Sequence, residues 1–74
     1  MLRAVVIIRA LVKAGFVVVR QRGSHIFLRH ARDLTRFATV PKHSSDVARR
    51  DLASILRQSK ISVEEFLRLL GKNK

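Results

Sequence analysis

Residues 20–30, RQRGSHIFLRH, combine a histidine with a dense set of positive charges. His25 directly follows the pair Gly23–Ser24, and three arginines lie close to it in the chain. Imidazole, with an unperturbed pKa of about 6.5, both accepts and donates a proton near neutral pH. Guanidinium groups bind phosphate oxygens, so this combination predicts a site that holds a phosphate and transfers a proton beside it. The arginines are Arg20, Arg22 and Arg29.

Ribonucleic acid suits such a site because it carries its own nucleophile. The 2′-hydroxyl is already held near the adjacent phosphorus, so the protein supplies a base, cations for charge growing on the phosphoryl oxygens, and an acid for the leaving oxygen. His25 is the candidate base or acid, and His43 is a candidate second proton carrier. Ser24 is a candidate for orienting His25 or contacting phosphate, and Gly23 for letting backbone amides approach a phosphate.

The alternation of a β-strand predicts which of these side chains share a face. His25, Phe27 and Arg29 lie on one face of such a strand, and Ile26 and Leu28 on the other. Because Ile26 and Leu28 make the better core pair, the first set is expected to face outward, with Phe27 as a stacking platform for a base. The inverse assignment would take Arg29 into the core, which is costly. The predicted RNA-binding residues are Arg20, Arg22, Gly23, Phe27, Arg29 and Lys42.

Each of these residues also has an interpretation without catalysis. A surface histidine in a basic protein is more often a phosphate contact than a general base, and His30 is expected only to hydrogen-bond or to cap a strand end. The pair Gly23–Ser24 could serve only as a turn. From the residues alone, a binding module is therefore favoured over an enzyme. No carboxylates are paired for acid–base catalysis, and the histidines lack metal-ligand spacing, so neither a metal nor a cofactor is predicted.

Composition favours a small basic domain with an anionic partner. The chain has 74 residues, no cysteine, and 16 Lys and Arg against 5 Asp and Glu, a net charge of +11. Such an excess attracts polyanions by its long-range field and by counterion release, whatever the fold. Nucleic acid is the first expectation for the partner, and an anionic membrane or an acidic protein would satisfy the same field. The absence of cysteine excludes disulfide-stapled secreted proteins and thiolate catalysis.

The N-terminal segment, residues 1–14, is predicted to be a helix. Apolar residues at positions 4, 7, 8, 11 and 14 make a helical stripe, and Gly15 lies where a helix commonly ends. The β-branched run of residues 5–8 would also suit a strand. In a helix, Val5, Val6 and Val12 lie off the main stripe, where exposed valines would be consistent with a protein partner.

The rest of the chain is predicted to contain three strands and two helices. Residues 16–20, 26–30 and 36–40 are strands of an antiparallel meander, with residues 21–24 as the first hairpin connection and Pro41 ending the last strand. Asp51 is a candidate N-cap for a helix over residues 52–59, although the start could be as early as Asp46. Ser62 and Glu65 form a predicted capping box for a final helix that ends at Leu70.

This order predicts an α+β fold in one domain, residues 1–74. The helix of residues 1–14, the meander of residues 16–40 and the C-terminal helices of residues 51–70 give α-β-β-β-α with a short additional C-terminal helix. Amphipathic helices and one sheet pack economically as two layers, with the helices on one sheet face. The other face of the three-stranded antiparallel sheet is then left to solvent or ligand.

The N-terminus, MLRAVVIIRALV, has an apolar run that needs comparison with targeting segments. Arg9 interrupts the run, Lys13 follows it, and no cleavage-site pattern is present. The run is too short and too charged to span a bilayer. It is therefore expected to be part of the fold, with no membrane partner and a cytoplasmic location.

Four motifs in order resemble the HicA toxin family of bacterial and archaeal toxin–antitoxin systems. They are AGFVVVRQRGSHIFLRH (residues 14–30), TVP with His43, LASILRQS (residues 52–59) and ISVEEFL (residues 61–67). The resemblance covers residues 7–70 and implies a double-stranded-RNA-binding-domain-like fold. It further implies an mRNA endoribonuclease that inhibits translation, a HicB antitoxin that covers its active surface, and an essential histidine after the Gly–Ser pair, which is His25 here.

With the resemblance, a ribonuclease becomes the leading hypothesis. The expected protein is the toxin of a type II toxin–antitoxin system, a metal-independent endoribonuclease with His25 as its single catalytic histidine. Two non-enzymatic alternatives stay open. One is a double-stranded-RNA-binding module, which would retain RNA without cleaving it. The other is an interaction module for an acidic protein, which would bind RNA with a shallow salt dependence.

Overall fold

A computed structural model describes residues 2–42 and 46–71 of the chain. Along these residues the element order is α-β-β-β-α followed by a short C-terminal helix, so the predicted α+β class is confirmed. The elements are α1 (Ala4–Lys13), β1 (Phe16–Arg22), β2 (His25–His30), β3 (Phe37–Pro41), α2 (Arg49–Ser59) and α3 (Val63–Leu69).

The strands form one antiparallel sheet in the order β1-β2-β3, so β2 is central. Consecutive strands lie side by side, as short connections require. In this register His25 at the start of β2 lies opposite Arg22 of β1 and Pro41 of β3. At the other end of β2, Arg29 lies opposite Val17 and Phe37.

The core lies between the sheet and the helices, on one sheet face. Ile26 and Leu28 of the central strand are buried, and so are residues from α1, α2 and α3. Since these residues form one cluster, all three helices cover the same face of the sheet, as predicted. The buried apolar residues are Ala4, Ile7, Ala10, Leu11, Phe16, Ile26, Leu28, Ala38, Val40, Val47, Ile55, Ile61 and Phe66.

Helix α1 shows how tertiary packing overrides local propensity. Its β-branched residues lower helix propensity, and Arg3 at its N-cap position makes no side-chain capping hydrogen bond. The helix forms because Ile7 and Leu11 of its stripe are fully buried in the core. Val5 and Val12 lie off the stripe and are about half exposed, as the sequence predicts.

The two C-terminal helices differ from the predictions at their N-termini. Helix α2 begins at Arg49 after Ala48, so Asp51 is not its N-cap but lies in its first turn. There its carboxylate still complements the positive end of the helix dipole. In α3, the Ser62 hydroxyl accepts from the Glu65 amide at 3.0 Å, which is half of the predicted capping box. The Glu65 carboxylate instead pairs with Arg68.

The β1–β2 connection is shorter than the predicted four residues. Strand β1 continues through Arg22, and only Gly23 and Ser24 form the loop. Gly23 has φ +58°, the positive value that two-residue hairpin loops of types I′ and II′ need at their first position. This tight loop fixes His25 as the first residue of the central strand.

Candidate active site

His25 stands at one end of the open sheet face. It is exposed, and its ring makes no hydrogen bond to any residue in the described ranges 2–42 and 46–71. Directly opposite residues of antiparallel strands have Cβ atoms about 4.5–5.5 Å apart. Arg22 and Pro41 are therefore the cross-strand neighbours of the imidazole. An anion that contacts the ring therefore has an arginine on the adjacent strand as its neighbour.

A bulge in β1 brings a second arginine to this face. The pairing skips one residue between Val18 and Arg20, so Arg20 lies opposite Phe27. The Arg20 guanidinium carbon lies 4.9 Å from the centre of the Phe27 ring. Phe16 is buried on the core face, and Arg20, four residues later, lies on the open face. The extra, unpaired residue of the bulge shifts the alternation of β1 by one position and so allows this change of face.

Sequence reasoning missed this bulge, although the sequence contains a signal for it. Phe16, Arg20 and Arg22 are all even-numbered, so a regular strand would place them on one face. A core phenylalanine and two outward arginines cannot share a face, and one extra residue between them resolves the conflict. Val19 is that residue, and its side chain is 58 % exposed.

The middle of the face is a shallow concavity of about 350 Å³. Phe27, half-buried, forms its floor on the central strand, between Arg20 on one side and Thr39 on the other. Arg29, at the far end of β2, is exposed. The side chains of this outer face that line the concavity are Val19, Arg20, Phe27, Arg29, Phe37 and Thr39.

The hairpin and the end of β3 lie close together beside His25. The Lys42 amide donates to the Ser24 carbonyl, which ties the two segments to one another. Lys42 is exposed, and Ser24 is half-buried with its hydroxyl unbonded among the described residues. Apart from its two chain neighbours, no described residue lies within 4 Å of where a Cβ on Gly23 would stand. His43, the second predicted proton carrier, lies outside the described residues.

The cations of this face lack carboxylate partners in the described part of the chain. Arg20, Arg22 and Arg29 form no salt bridge there, whereas Arg68 of α3 pairs with Glu65. Their positive potential is therefore available to an external anion. Among residues 2–42 and 46–71, no group of three or more His, Cys, Asp or Glu side chains could hold a metal ion.

His30 belongs to the other side of the sheet and has a structural role. Its Nδ1 accepts from the amides of Arg32 and Asp33, both at 3.1 Å, and its ring packs edge-on against Phe16 at 5.1 Å between centroids. These contacts cap the end of β2 and shape the β2–β3 turn. The expectation that His30 hydrogen-bonds at a strand end is confirmed.

Fold and site together define a small basic α+β domain whose open sheet face carries an imidazole and guanidiniums that have no carboxylate partner among the described residues. The chain matches the family model described as the HicA toxin of bacterial toxin–antitoxin over residues 6–61. This match covers well over half of the 74 residues, and the chain belongs to the HicA toxin family. The matched segment contains the sheet and α2 but ends before α3. No curated protein matches the chain.

Family membership identifies the protein as the toxin of a toxin–antitoxin system, which implies an antitoxin partner. Within the described residues, no helix is long and apolar enough to cross a bilayer.

Proposed function

We propose that this toxin is an endoribonuclease that cleaves mRNA in the cytoplasm and thereby inhibits translation, without a metal ion or cofactor. The observation that carries the proposal is the exposed imidazole of His25, directly opposite Arg22 on a sheet face whose arginines have no carboxylate partner in the described ranges. The implied HicA activity, mRNA cleavage, is the reaction for which this combination of groups is suited.

In the proposed reaction, His25 acts as the general base. It removes the proton of a ribose 2′-hydroxyl, whose oxygen attacks the adjacent phosphorus. The bond from phosphorus to the 5′-oxygen breaks, which leaves a 2′,3′-cyclic phosphate on one fragment and a 5′-hydroxyl on the other. The leaving oxygen takes its proton from an acid, for which His43 or water is the candidate.

The cations act on the phosphate. Arg22 is the candidate for stabilising charge on the phosphoryl oxygens, because it is the cross-strand neighbour of His25. Lys42 and the Gly23 backbone lie at the same end of the sheet and are candidates for holding that phosphate. Ser24 is a candidate for orienting the imidazole. Arg20 and Arg29 lie along the strand, where they would bind neighbouring phosphates.

Cleavage of a labelled transcript in EDTA by purified protein tests the proposal. His25→Ala is expected to lower the cleavage rate by roughly 10²–10⁴-fold, the range for loss of a general base. His25 is exposed, so the variant is expected to fold, with an unchanged circular dichroism spectrum as the check. A transcript with a 2′-deoxy nucleotide at the cleaved position should stay intact there.

The outcomes separate the proposal from its alternatives. Equal cleavage by His25→Ala would overturn the role of His25, and loss of wild-type cleavage in EDTA would overturn the metal-free reaction. A transcript that is retained in a gel shift but stays intact for hours would indicate a double-stranded-RNA-binding module. Poor RNA affinity with a shallow salt dependence would indicate a module for an acidic protein.

We also propose that a HicB-like antitoxin inhibits the toxin by covering this sheet face. Val17 and Phe37 are exposed on it, beside arginines that lack a carboxylate partner within residues 2–42 and 46–71, so a partner with acidic and apolar side chains would complement it. Antitoxin bound there should abolish RNA binding by the His25→Ala protein. Simultaneous binding of RNA and antitoxin would contradict this arrangement.

A further inference from the structure

The concavity in the middle of the sheet face has the features of a nucleobase subsite. Phe27 is half-buried on the central strand, so its ring is held in place before any ligand binds. Phe37 on the neighbouring strand is 39 % exposed and lines the same concavity. Aromatic rings on an open sheet bind bases by stacking, which is tolerant of base identity because every base has a π-face.

We infer that this concavity binds one unpaired base of the RNA, next to the phosphate that reacts at His25. The inference rests on the proposed function for the position of the reacting phosphate. Phe27 lies two residues from His25 along the strand, a separation of roughly 7 Å. This length is comparable to one nucleotide step of an extended RNA strand. A strand that follows β2 would thus present a phosphate to His25 and a base to the concavity.

The charged and polar groups around the concavity complement a nucleotide. The Arg20 guanidinium carbon lies over the Phe27 ring, 4.9 Å from its centre, so this planar cation is itself part of the stacking surface and can stack on a base or bind its phosphate. Arg29 lines the opposite end. Thr39 offers a hydroxyl to a base edge, and its strand is held by the bond from its amide to the Gln58 side chain at 3.2 Å.

The substrate class follows from this geometry. In a duplex the bases are paired and stacked inside the helix, so none can enter a concavity in a protein surface. The subsite therefore selects single-stranded RNA, or a loop with an unstacked base. Phe37, which sequence reasoning did not single out, becomes a determinant of RNA affinity. A flat or purely cationic face would bind the phosphates of either form.

Fluorescence of 2-aminopurine in a short RNA tests the inference in the His25→Ala protein, which leaves the probe uncut. Stacking in the concavity should quench the single-stranded probe and leave the same probe in a duplex unchanged. Phe37→Ala should weaken binding by roughly 5- to 100-fold, the range for loss of one base–aromatic stack. Phe37→Leu, which keeps apolar bulk without a ring, should lose most of that affinity as well and guards against a folding defect.

Leu67→Ala is the matched control, since Leu67 is a similarly exposed apolar residue on α3. It should leave the affinity unchanged. Absence of quenching, or equal affinity of the Phe37 variants, would overturn the subsite even if the wild-type protein cleaves RNA. Conversely, quenching that depends on Phe37 without cleavage by the wild type would support the subsite and contradict the proposed nuclease.

Discussion

The tight hairpin between Arg22 and His25 determines that these two residues are cross-strand neighbours. The loop of Gly23 and Ser24 makes them directly opposite across the β1–β2 pair. Arg22→Ala is expected to lower cleavage on the order of 100-fold, the lower end of the cost of removing one group that stabilises developing charge. Initial rates on a short single-stranded RNA give the measurement.

Two further variants make the Arg22 prediction specific. Arg22→Lys should recover only part of the rate, because an ammonium cannot make the bidentate contact of a guanidinium. Arg50→Ala removes an exposed arginine from the first turn of α2 and should leave the rate unchanged. Equal losses in the Arg22→Ala and Arg50→Ala proteins would show that general charge, rather than position, governs cleavage.

Residue patterns predict much of the site because strand alternation is a local property. His25 and Arg29 are exposed on one face, and Ile26 and Leu28 are buried on the other, as alternation within a single strand requires. The placement of Arg20 depends on a bulge, which is a property of two paired strands. The sequence of β1 alone therefore does not determine which of its residues is left unpaired.

At the scale of elements, the α1–β1 junction depends on Gly15. This residue has φ +104°, and a Cβ there would lie 3.0 Å from Nε2 of His30. Gly15→Ala is therefore expected to destabilise the protein by about 1–3 kcal/mol, through backbone strain and the contact with the ring. Urea denaturation followed by circular dichroism measures the loss.

Two comparisons separate the two causes. Gly23 also has a positive φ, but among the described residues only its chain neighbours lie within 4 Å of a Cβ there, so Gly23→Ala should cost less than Gly15→Ala. His30→Ala combined with Gly15→Ala should destabilise less than the sum of the single changes, because without the imidazole the tight contact with the new Cβ does not form. Strict additivity would rule out the contact with His30 as a cause.

The β2–β3 turn contains a carboxylate that makes its stability depend on pH. Asp33 accepts from the Thr35 hydroxyl at 2.6 Å and from the Thr35 amide at 3.1 Å. These hydrogen bonds, with smaller contributions from Lys60 and Arg36, lower the pKa of Asp33 below its ordinary value of 3.8. A lowered folded-state pKa stabilises the fold above the ordinary value, and this contribution is lost as pH falls through the folded-state pKa.

We therefore expect Asp33→Asn to remove part of the acid sensitivity of the protein. Between pH 6 and pH 2 the unfolding temperature should fall more steeply for the wild type than for the variant, and the extra fall should occur below about pH 4. The two proteins should differ by a constant amount at higher pH. Parallel curves throughout that range would contradict the role of the Asp33 carboxylate.

The order of the helices and strands can be predicted from the sequence because the periodicity of apolar residues reflects burial. The residue at which a helix starts is harder to predict. The stripe of Ile7 and Leu11 and the alternation around Ile26 each follow from one buried face. Asp51 matched the preference of an N-cap, but α2 begins at Arg49 without any side-chain cap. The helix is stable without such a cap because Ile55 is fully buried in the core, and packing supplies most of the stability of helices in proteins.

The whole molecule is divided into a covered and an open face. The helices bury one face of the sheet, and the opposite face carries the cations without carboxylate partners in the described residues. A net charge of +11 attracts RNA to the entire surface, but binding in register with His25 needs contacts on the sheet. The salt dependence of binding distinguishes these two situations.

Single-stranded RNA binding gives a slope of about −0.7 in log affinity against log salt for each phosphate contact. If Arg20, Arg22, Arg29 and Lys42 each contact one phosphate, the His25→Ala protein should show a slope of about −3. Replacing Arg22 with alanine should make the slope shallower by about 0.7, and replacing Arg50 should leave it unchanged. Equal changes for both arginines would mean that RNA binds the whole basic surface. A shallower salt slope for the Arg22 variant alone would mean that the RNA backbone lies along the open sheet face. That arrangement delivers a phosphate to His25.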